Sequence, residues 1–304
     1  AARRCGAEPI FTIEPNYPAP LAAVDAPPPM LYVKGRAALL NVPAIAIVGS
    51  RESSAAGIKL ASAFARAFAE AGYAVISGLA RGIDAHAHHA TLEAGGRTLA
   101  VLAGGLRRIY PPEHSELALE VAQNGALITE SSMRMEPMAG LFPARNRIIS
   151  GLSLGVVVTE AAIESGSLIT ARLAGEQGRE VFAVPGFVKA EQSRGPNSLI
   201  KDGARLVESA QDILEELLPQ LDPAFRERLA GGAGTVAQPK VQFSPDETLV
   251  YDVLSVLPQS VDDVIRRSGL PAAQVAAILL SLELNNSIRQ LPGNEYVRVT
   301  SGMH

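Results

Sequence analysis

Three of the chain's five histidines fall within four residues, in the stretch "RGIDAHAHHATLEAGG" at 81–96. Imidazoles at that density make metal ligation the first chemistry to weigh. On a helix His86 and His89 lie three apart and share a face, while His88 points elsewhere, so the three cannot all face one metal. No second ligand cluster follows, and Cys5 is the single cysteine, which excludes an internal disulfide and a thiolate cluster. One histidine is therefore expected to pack or bond locally and two to be solvated, with no metal and no other cofactor. The richer chemistry lies in the glycines, serines and arginines on either side.

Those residues recur wherever a short apolar run ends. After "AIAIV" (44–48), Gly49 permits a tight turn, Ser50 and Ser53 offer hydroxyls, and Arg51 offers a guanidinium fork. The helix that follows would aim its free N–H groups at the same spot, which suits phosphate. The stretch is neither G-x-G-x-x-G nor G-K-[ST], so a dinucleotide or nucleoside triphosphate is not indicated. After "YAVIS" (73–77), which ends on Ser77, Gly78 and Gly82 bracket Arg81, and Asp84 stands where a helix cap is expected. "TLAVLA" (98–103) leads to Gly104, Gly105, Arg107, Arg108 and Tyr110, and "ALIT" (126–129) to a helix carrying Phe142, Arg145, Asn146 and Arg147. "LGVVVT" (154–159) precedes a polar helix start at Ser165, Gly166 and Ser167, and "EVFAVP" (180–185) a loop with Phe187, Lys189 and Arg194. Basic groups from separate loops would converge on one rim, and several phosphates in a row point to a polymer backbone. Tyr110, Phe142 and Phe187 sit on the same loops, where each can stack an unpaired base; for Phe142 and Phe187 packing at the domain edge is the equal alternative.

The elements behind these loops follow from the same runs. Each run is continuous instead of alternating, as in strands buried on both faces. Between them lie helical stretches such as "AAGIKLASAFARAFAEAG", so the fold class is α/β with a doubly wound, mainly parallel sheet. In such sheets ligands bind beyond the carboxyl ends of the strands, where the glycines and arginines stand. Residues 1–43 are Pro-rich and read as an extended arm wrapping a domain at 44–218, and 219–244 reads as a Pro- and Gly-rich linker. Residues 245–304 hold three helical patterns, with caps at Ser244 and Ser260, and a hairpin turning at Pro292, Gly293 and Asn294. Three helices and a hairpin make a small winged-helix domain. Its third helix contains no Lys or Arg, and 241–304 holds seven acidic residues against four arginines. A duplex would repel that balance, so a protein contact or a structural role is expected of this unit.

Composition limits the remaining classes. The apolar fraction of 47% supports a sizeable core, and the formal charge of −4 excludes a uniformly basic surface, so any nucleic-acid binding needs a local patch. No run approaches a membrane span and no signal-peptide core is present, so a cytoplasmic protein is expected. The chain opens without Met, and residues upstream of Ala1 are allowed for.

"VGSRESSAAG", "VISGLARGIDAHAH", "LAGGLRRIYPPEH", "FPARNRIISGLS", "ESGSLITARLAGEQGREVFAVPG" and "GPNSLIKDGA" resemble, in order, the motifs of the DprA/Smf family of DNA-processing proteins. The resemblance spans about residues 15–217, and the C-terminal unit is similar to the winged helix that many members carry. It implies an extended Rossmann-like domain that binds single-stranded DNA, forms homodimers and loads RecA recombinase in natural transformation, without catalytic activity. The family's phosphate-binding Gly-Ser-Arg falls on Gly49, Ser50 and Arg51, and its basic pocket takes in Arg145 and Arg147. Of the three histidines only His88 matches one common in the motif. Two departures stand out: many members have a helical N-terminal domain of which only the trailing arm is present here, and this winged helix is acidic.

The competing expectation is a nucleotide hydrolase of the phosphoribohydrolase type on a related fold. Those enzymes share P-G-G-x-G-T-x-x-E after a central strand, whereas "TEAAIESGSLITA" here offers Glu160 and Glu164 without the Pro-Gly-Gly. A third expectation, a duplex-binding regulator built on the winged helix, would require sequence preference on duplex DNA. The reading of the histidines is tested directly: a His86→Ala/His89→Ala double variant is expected to keep its metal content and strand affinity unchanged, by elemental analysis and fluorescence anisotropy.

Overall fold

Successive residues of β3 (Ala44–Val48) face opposite helix layers. Ala44, Ala46 and Val48 pack with Ile148, Ile149 and Leu152 of α5 (Leu141–Leu152) and with Ala171 and Ala174 of α6 (Gly166–Glu176). Ile45 and Ile47 pack with Phe64 and Phe68 of α2 (Ala55–Glu70) and with Ile83 and Ala87 of α3 (Ile83–Glu93). A strand sandwiched in this way has no polar face to show, which is why its sequence reads as an unbroken apolar run. Each such fully buried side chain contributes on the order of 1.5–3 kcal/mol relative to exposure.

The computed structural model describes residues 5–223, 225–227, 245–255, 259–284, 288–291 and 295–298. The chain divides into two compact units, 1–229 and 230–304. In the first, the six expected strands are β3, β4 (Ala74–Ser77), β5 (Arg97–Val101), β6 (Ala126–Thr129), β7 (Gly155–Val158) and β8 (Glu180–Ala183). They lie parallel, with a short β9 (Arg205–Leu206) beyond β8, in a sheet ordered β1-β2-β6-β5-β4-β3-β7-β8-β9. Further helices of this unit are a short α1 (Ala19–Ala22), α4 (Ser115–Asn124), α7 (Glu191–Lys201) and α8 (Ala210–Leu217).

Two segments of the Pro-rich stretch are strands of this sheet. β2 (Met30–Gly35) pairs antiparallel with β6, placing Val33 opposite Ile128, and β1 (Ala7–Phe11) pairs antiparallel with β2. β1 is an edge strand, where Pro9 removes no obligatory ladder bond. β2 alternates buried and partly buried residues, with Leu31 and Val33 inward, so its period-two pattern differs from the apolar runs that mark the parallel strands. Leu21 and Val24 pack against α5, and the guanidiniums of Arg147 and Arg179 donate to Ala26 O and Pro20 O.

At the other end of the unit, the first residues of the expected linker also pack back onto the core. Leu221 and Phe225 are buried in the layer of α2 and α8, and the Phe225 ring meets Tyr73 edge-on at 5.5 Å between centroids. Residues 228–244, including the Ser244 cap, lie outside the described residues.

The second unit is a winged helix: α9 (Pro245–Val253), α10 (Val261–Ser268) and α11 (Ala272–Leu284) precede β11 (Ile288–Leu291) and β12 (Glu295–Arg298). A two-residue β10 (Gln259–Ser260) completes a sheet ordered β10-β12-β11. Ser260 caps α10 by accepting from the Asp263 N–H, and Gly269 ends that helix at φ +71°. Val250, Val264, Val275, Leu279, Leu282 and Ile288 form its core. The hairpin turn at Pro292, Gly293 and Asn294 lies outside the described residues.

Because β1 and β2 cover the edge of β6, deletion of residues 1–43 is expected to yield an aggregated product. Size-exclusion chromatography and circular dichroism check this; a monodisperse, folded 44–304 fragment would show that the arm is dispensable.

Candidate nucleic-acid interface

Strand order reverses between β3 and β7, because β3 leads on one side to β4, β5 and β6 and on the other to β7, β8 and β9. The two loops that leave these strands diverge to opposite sides of the sheet, and a crevice opens between them. A cleft of about 460 Å³ occupies that point. Gly49, Ser50 and Arg51 line it from the end of β3, Phe142, Arg145 and Asn146 from α5, and Ser165, Gly166 and Ser167 from the start of α6. Nine residues expected at the site thus come together across three separate segments.

Arg51 is exposed and makes no ion pair among the described residues, and its Cζ lies 5.4 Å from the centre of the Phe142 ring. Opposite it, Ser165 caps α6, with its Oγ accepting from the Ser167 N–H and lying 2.7 Å from Ser167 Oγ. Asn146 ties the two helices together by donating to Gly166 O at 3.2 Å. Hydroxyls, helix amides and a guanidinium facing one space form an anion-binding arrangement, and the ring beside Arg51 supplies an apolar surface.

The start of α2 does not take part as expected. The Glu160 carboxylate, from the end of β7, accepts from both the backbone N–H and the hydroxyl of Ser54, the cap of α2. A side chain at Gly57 would collide with that carboxylate. The positive end of α2 is therefore already occupied by an internal anion, and the Glu160 carbonyl also holds the Ser50 N–H at 2.7 Å. Arg51 and the start of α6 remain as the groups lining the cleft whose chemistry suits an anion. In the sequence Glu160 stands out only as one of two carboxylates weighed for hydrolysis, and its bond to a loop 106 residues away carries no local signal.

Arg145 is buried and donates to Gly78 O at 2.7 Å, to Val101 O, and to Asn146 Oδ1 at 3.1 Å. Burial lowers its pKa to about 10, against the opposing pull of Asp84, so it remains a cation at neutral pH. Asp84 is itself buried, which raises its pKa, and its Oδ2 accepts from Gly78 N at 3.0 Å and Ala80 N at 3.4 Å. It braces the loop after β4; the cap position of α3 belongs to Gly82. Gly82 adopts φ +72° and abuts the Ser50 carbonyl, leaving no room for a Cβ. Ser77 is fully buried and donates to Ile47 O at 2.6 Å, a bond between strands.

Other expected residues lie outside the cleft. Arg147, two positions from Arg145 on the same helix, points to the opposite side, where it pairs with Glu130 and donates to Ala26 O. Arg81 and Gly78 border a shallow depression next to the cleft. Arg107 is exposed beyond the cleft, and Gly104 allows close approach of the chain at Met135 and Pro137. Glu164, weighed for hydrolysis, lines the cleft, while Glu160 is engaged by α2.

The histidines divide as their helical spacing demands. His88 is fully buried and bonds Thr98 Oγ1 through Nδ1 at 2.6 Å. Thr98 spends its own proton on Val75 O, so Nδ1 carries the hydrogen. Nε2 has no hydrogen-bond partner among the described residues. His89 is exposed and His86 partly so.

This architecture defines a Rossmann-like α/β protein whose topological switch point holds a cleft lined by hydroxyls, helix amides and a guanidinium. The model of the DNA recombination-mediator protein A family matches residues 8–218, and that of the DprA winged helix domain matches 235–294. The chain belongs to this family, DprA/Smf. It is 42% identical to protein Smf of Escherichia coli over 95% of this chain and 76% of that protein. It is 44% identical to DNA processing protein DprA of Bacillus subtilis, over 71% of this chain and 73% of that one. The structure of DprA from Streptococcus pneumoniae superposes with a TM-score of 0.66 at 40% identity, covering 69% of this chain and 74% of that chain. DprA from Helicobacter pylori, described in terms of its single-stranded DNA binding mode, superposes at 0.64 with 30% identity, over 71% and 97%. Among the described residues no helix is long and apolar enough to cross a membrane.

Burial holds the His88 pKa down at about 3, from an ordinary value of 6.5. A histidine kept neutral by folding stabilises fully above its unfolded pKa, and that contribution is lost as pH falls from 6.5 towards 3. Urea unfolding is therefore expected to show stability declining by up to about 1.4 kcal/mol per pH unit in that window, with the decline shallower in His88→Asn. An identical pH dependence in the two proteins would remove His88 from the account.

Proposed function

We propose that the chain binds single-stranded DNA across the switch-point cleft, acts as a homodimer, and delivers the bound strand to RecA recombinase in the recombination of incoming DNA. The observation that carries the reading is the juxtaposition of Arg51, Phe142 and the capped start of α6 in one open cleft. A phosphodiester finds a cation and polar hydrogens there, and an unpaired base finds a ring; a duplex keeps its bases stacked internally and gains only the first. Family membership and the Helicobacter relative's described binding mode agree with this reading. The role is one of binding and hand-over, without bond cleavage. Engagement of Glu160 by Ser54 weighs against hydrolysis, because it withdraws one of the two carboxylates such chemistry would draw on.

Arg51→Ala is expected to weaken single-strand binding by about 1–3 kcal/mol, the range of a charge-assisted contact. It should also reduce the slope of log K against log salt by about 0.7. Arg147→Ala, which removes the ion pair to Glu130, is expected to lower stability while leaving the salt slope unchanged. Anisotropy with labelled single-stranded and duplex oligonucleotides of equal length reads both effects. A duplex preference, or binding indifferent to Arg51, would overturn the proposal.

A further inference from the structure

Next to the cleft, and sharing Arg51 and Phe142 with it, lies a depression bordered also by Gly78, Arg81 and Tyr110. Tyr110 is 39% exposed and meets Phe142 edge-on, with centroids 5.8 Å apart and planes at 68°. Two rings at that angle do not compete for one base: a base covering Phe142 leaves the face of Tyr110 open. Arg81 lines the same depression as Tyr110. Its Nε is held by Glu113 Oε1 at 2.5 Å, with both side chains about half exposed. An ion pair this open to water is weak and exchangeable, and it presents no net charge to an approaching strand.

We infer that this depression is a second nucleotide subsite, in which Tyr110 carries a base, Arg81 holds its phosphate, and Glu113 occupies Arg81 while no strand is bound. The inference rests on the reading of the cleft as a strand-binding site and extends it by one nucleotide. It also assigns Glu113 a role in selection. A ligand must displace a carboxylate to gain Arg81, so an oligonucleotide already held at Arg51 can take the subsite. A free mononucleotide must make the exchange without that anchorage.

Removing the competitor should open the subsite. Glu113→Gln is expected to raise affinity for a single-stranded oligonucleotide about two- to fivefold, the range an exposed ion pair allows. It should also steepen the salt slope by about 0.7, because Arg81 then brings a full charge. Arg81→Ala in the Glu113→Gln background should abolish both gains. Tyr110→Leu should lower affinity about tenfold, and Tyr110→Phe should retain it, because stacking needs the ring and not the hydroxyl. Strands carrying 2-aminopurine supply a second readout: quenching seen with wild type and Tyr110→Phe should be lost at one base position with Tyr110→Leu. If wild type binds and Arg51→Ala weakens it, while Glu113→Gln and Tyr110→Leu change nothing, the second subsite is overturned and the cleft stands. If wild type binds no single strand, both fall.

Discussion

The carbonyls of Gly78 and Val101, one beyond the end of β4 and one at the end of β5, are held by one buried guanidinium, that of Arg145. Removing a cation from water costs several kcal/mol, and here the cost is offset by two carbonyl bonds, the Asn146 side chain and the field of buried Asp84. Asp84 in turn holds the Gly78 N–H, so the peptide units flanking Gly78 are gripped from two sides. The loop after β4 is then fixed, Gly82 can lie against the Ser50 carbonyl, and the turn bearing Arg51 gains its shape. Loss of Arg145 would remove the cation whose field opposes the burial of Asp84. Its role in the cleft is thus first to build the cleft.

Charge around the cleft is less positive than a count of arginines suggests. Arg81, Arg108 and Arg147 are each paired with a glutamate, and the start of α2 carries Glu160. Arg51 is left to act on its surroundings, and at physiological salt its reach is about 8 Å. A protein with net charge −4 can hold a polyanion under these conditions only by close contact within the cleft. This favours a flexible strand, which can follow a narrow path, over a stiff duplex. The acidic winged helix accords with the same division of labour, since its third helix carries no basic residue.

Much of the fold was legible because buried parallel strands leave a strong local mark. Six continuous apolar runs became β3 to β8 in order, and three helical patterns with a hairpin became the winged helix. β1, β2 and β9 escaped for a shared reason: strands at or next to the margins of the sheet are short or half-buried, contain Pro or alternate, and owe their existence to a partner strand as much as to their own pattern. Within the site, Gly49, Ser50, Arg51, Phe142, Arg145 and the serines of α6 could be named because loops at strand ends in such sheets must converge.

The sequence by itself therefore determined the kind of fold, the end of the sheet at which the cleft opens and the residue types gathered there, because hydrophobic periodicity and strand-end glycines are local properties. Only the tertiary structure decided which charges are free. Arg145 and Arg147 look alike in sequence, yet a helical turn of about 200° sends one into the buried end of β4 and the other to Glu130 on the far side. Glu160 likewise looks like a rim carboxylate until packing places it on α2. Electrostatic roles depend on distances between segments far apart in the chain, and those distances exist only once the layers have closed.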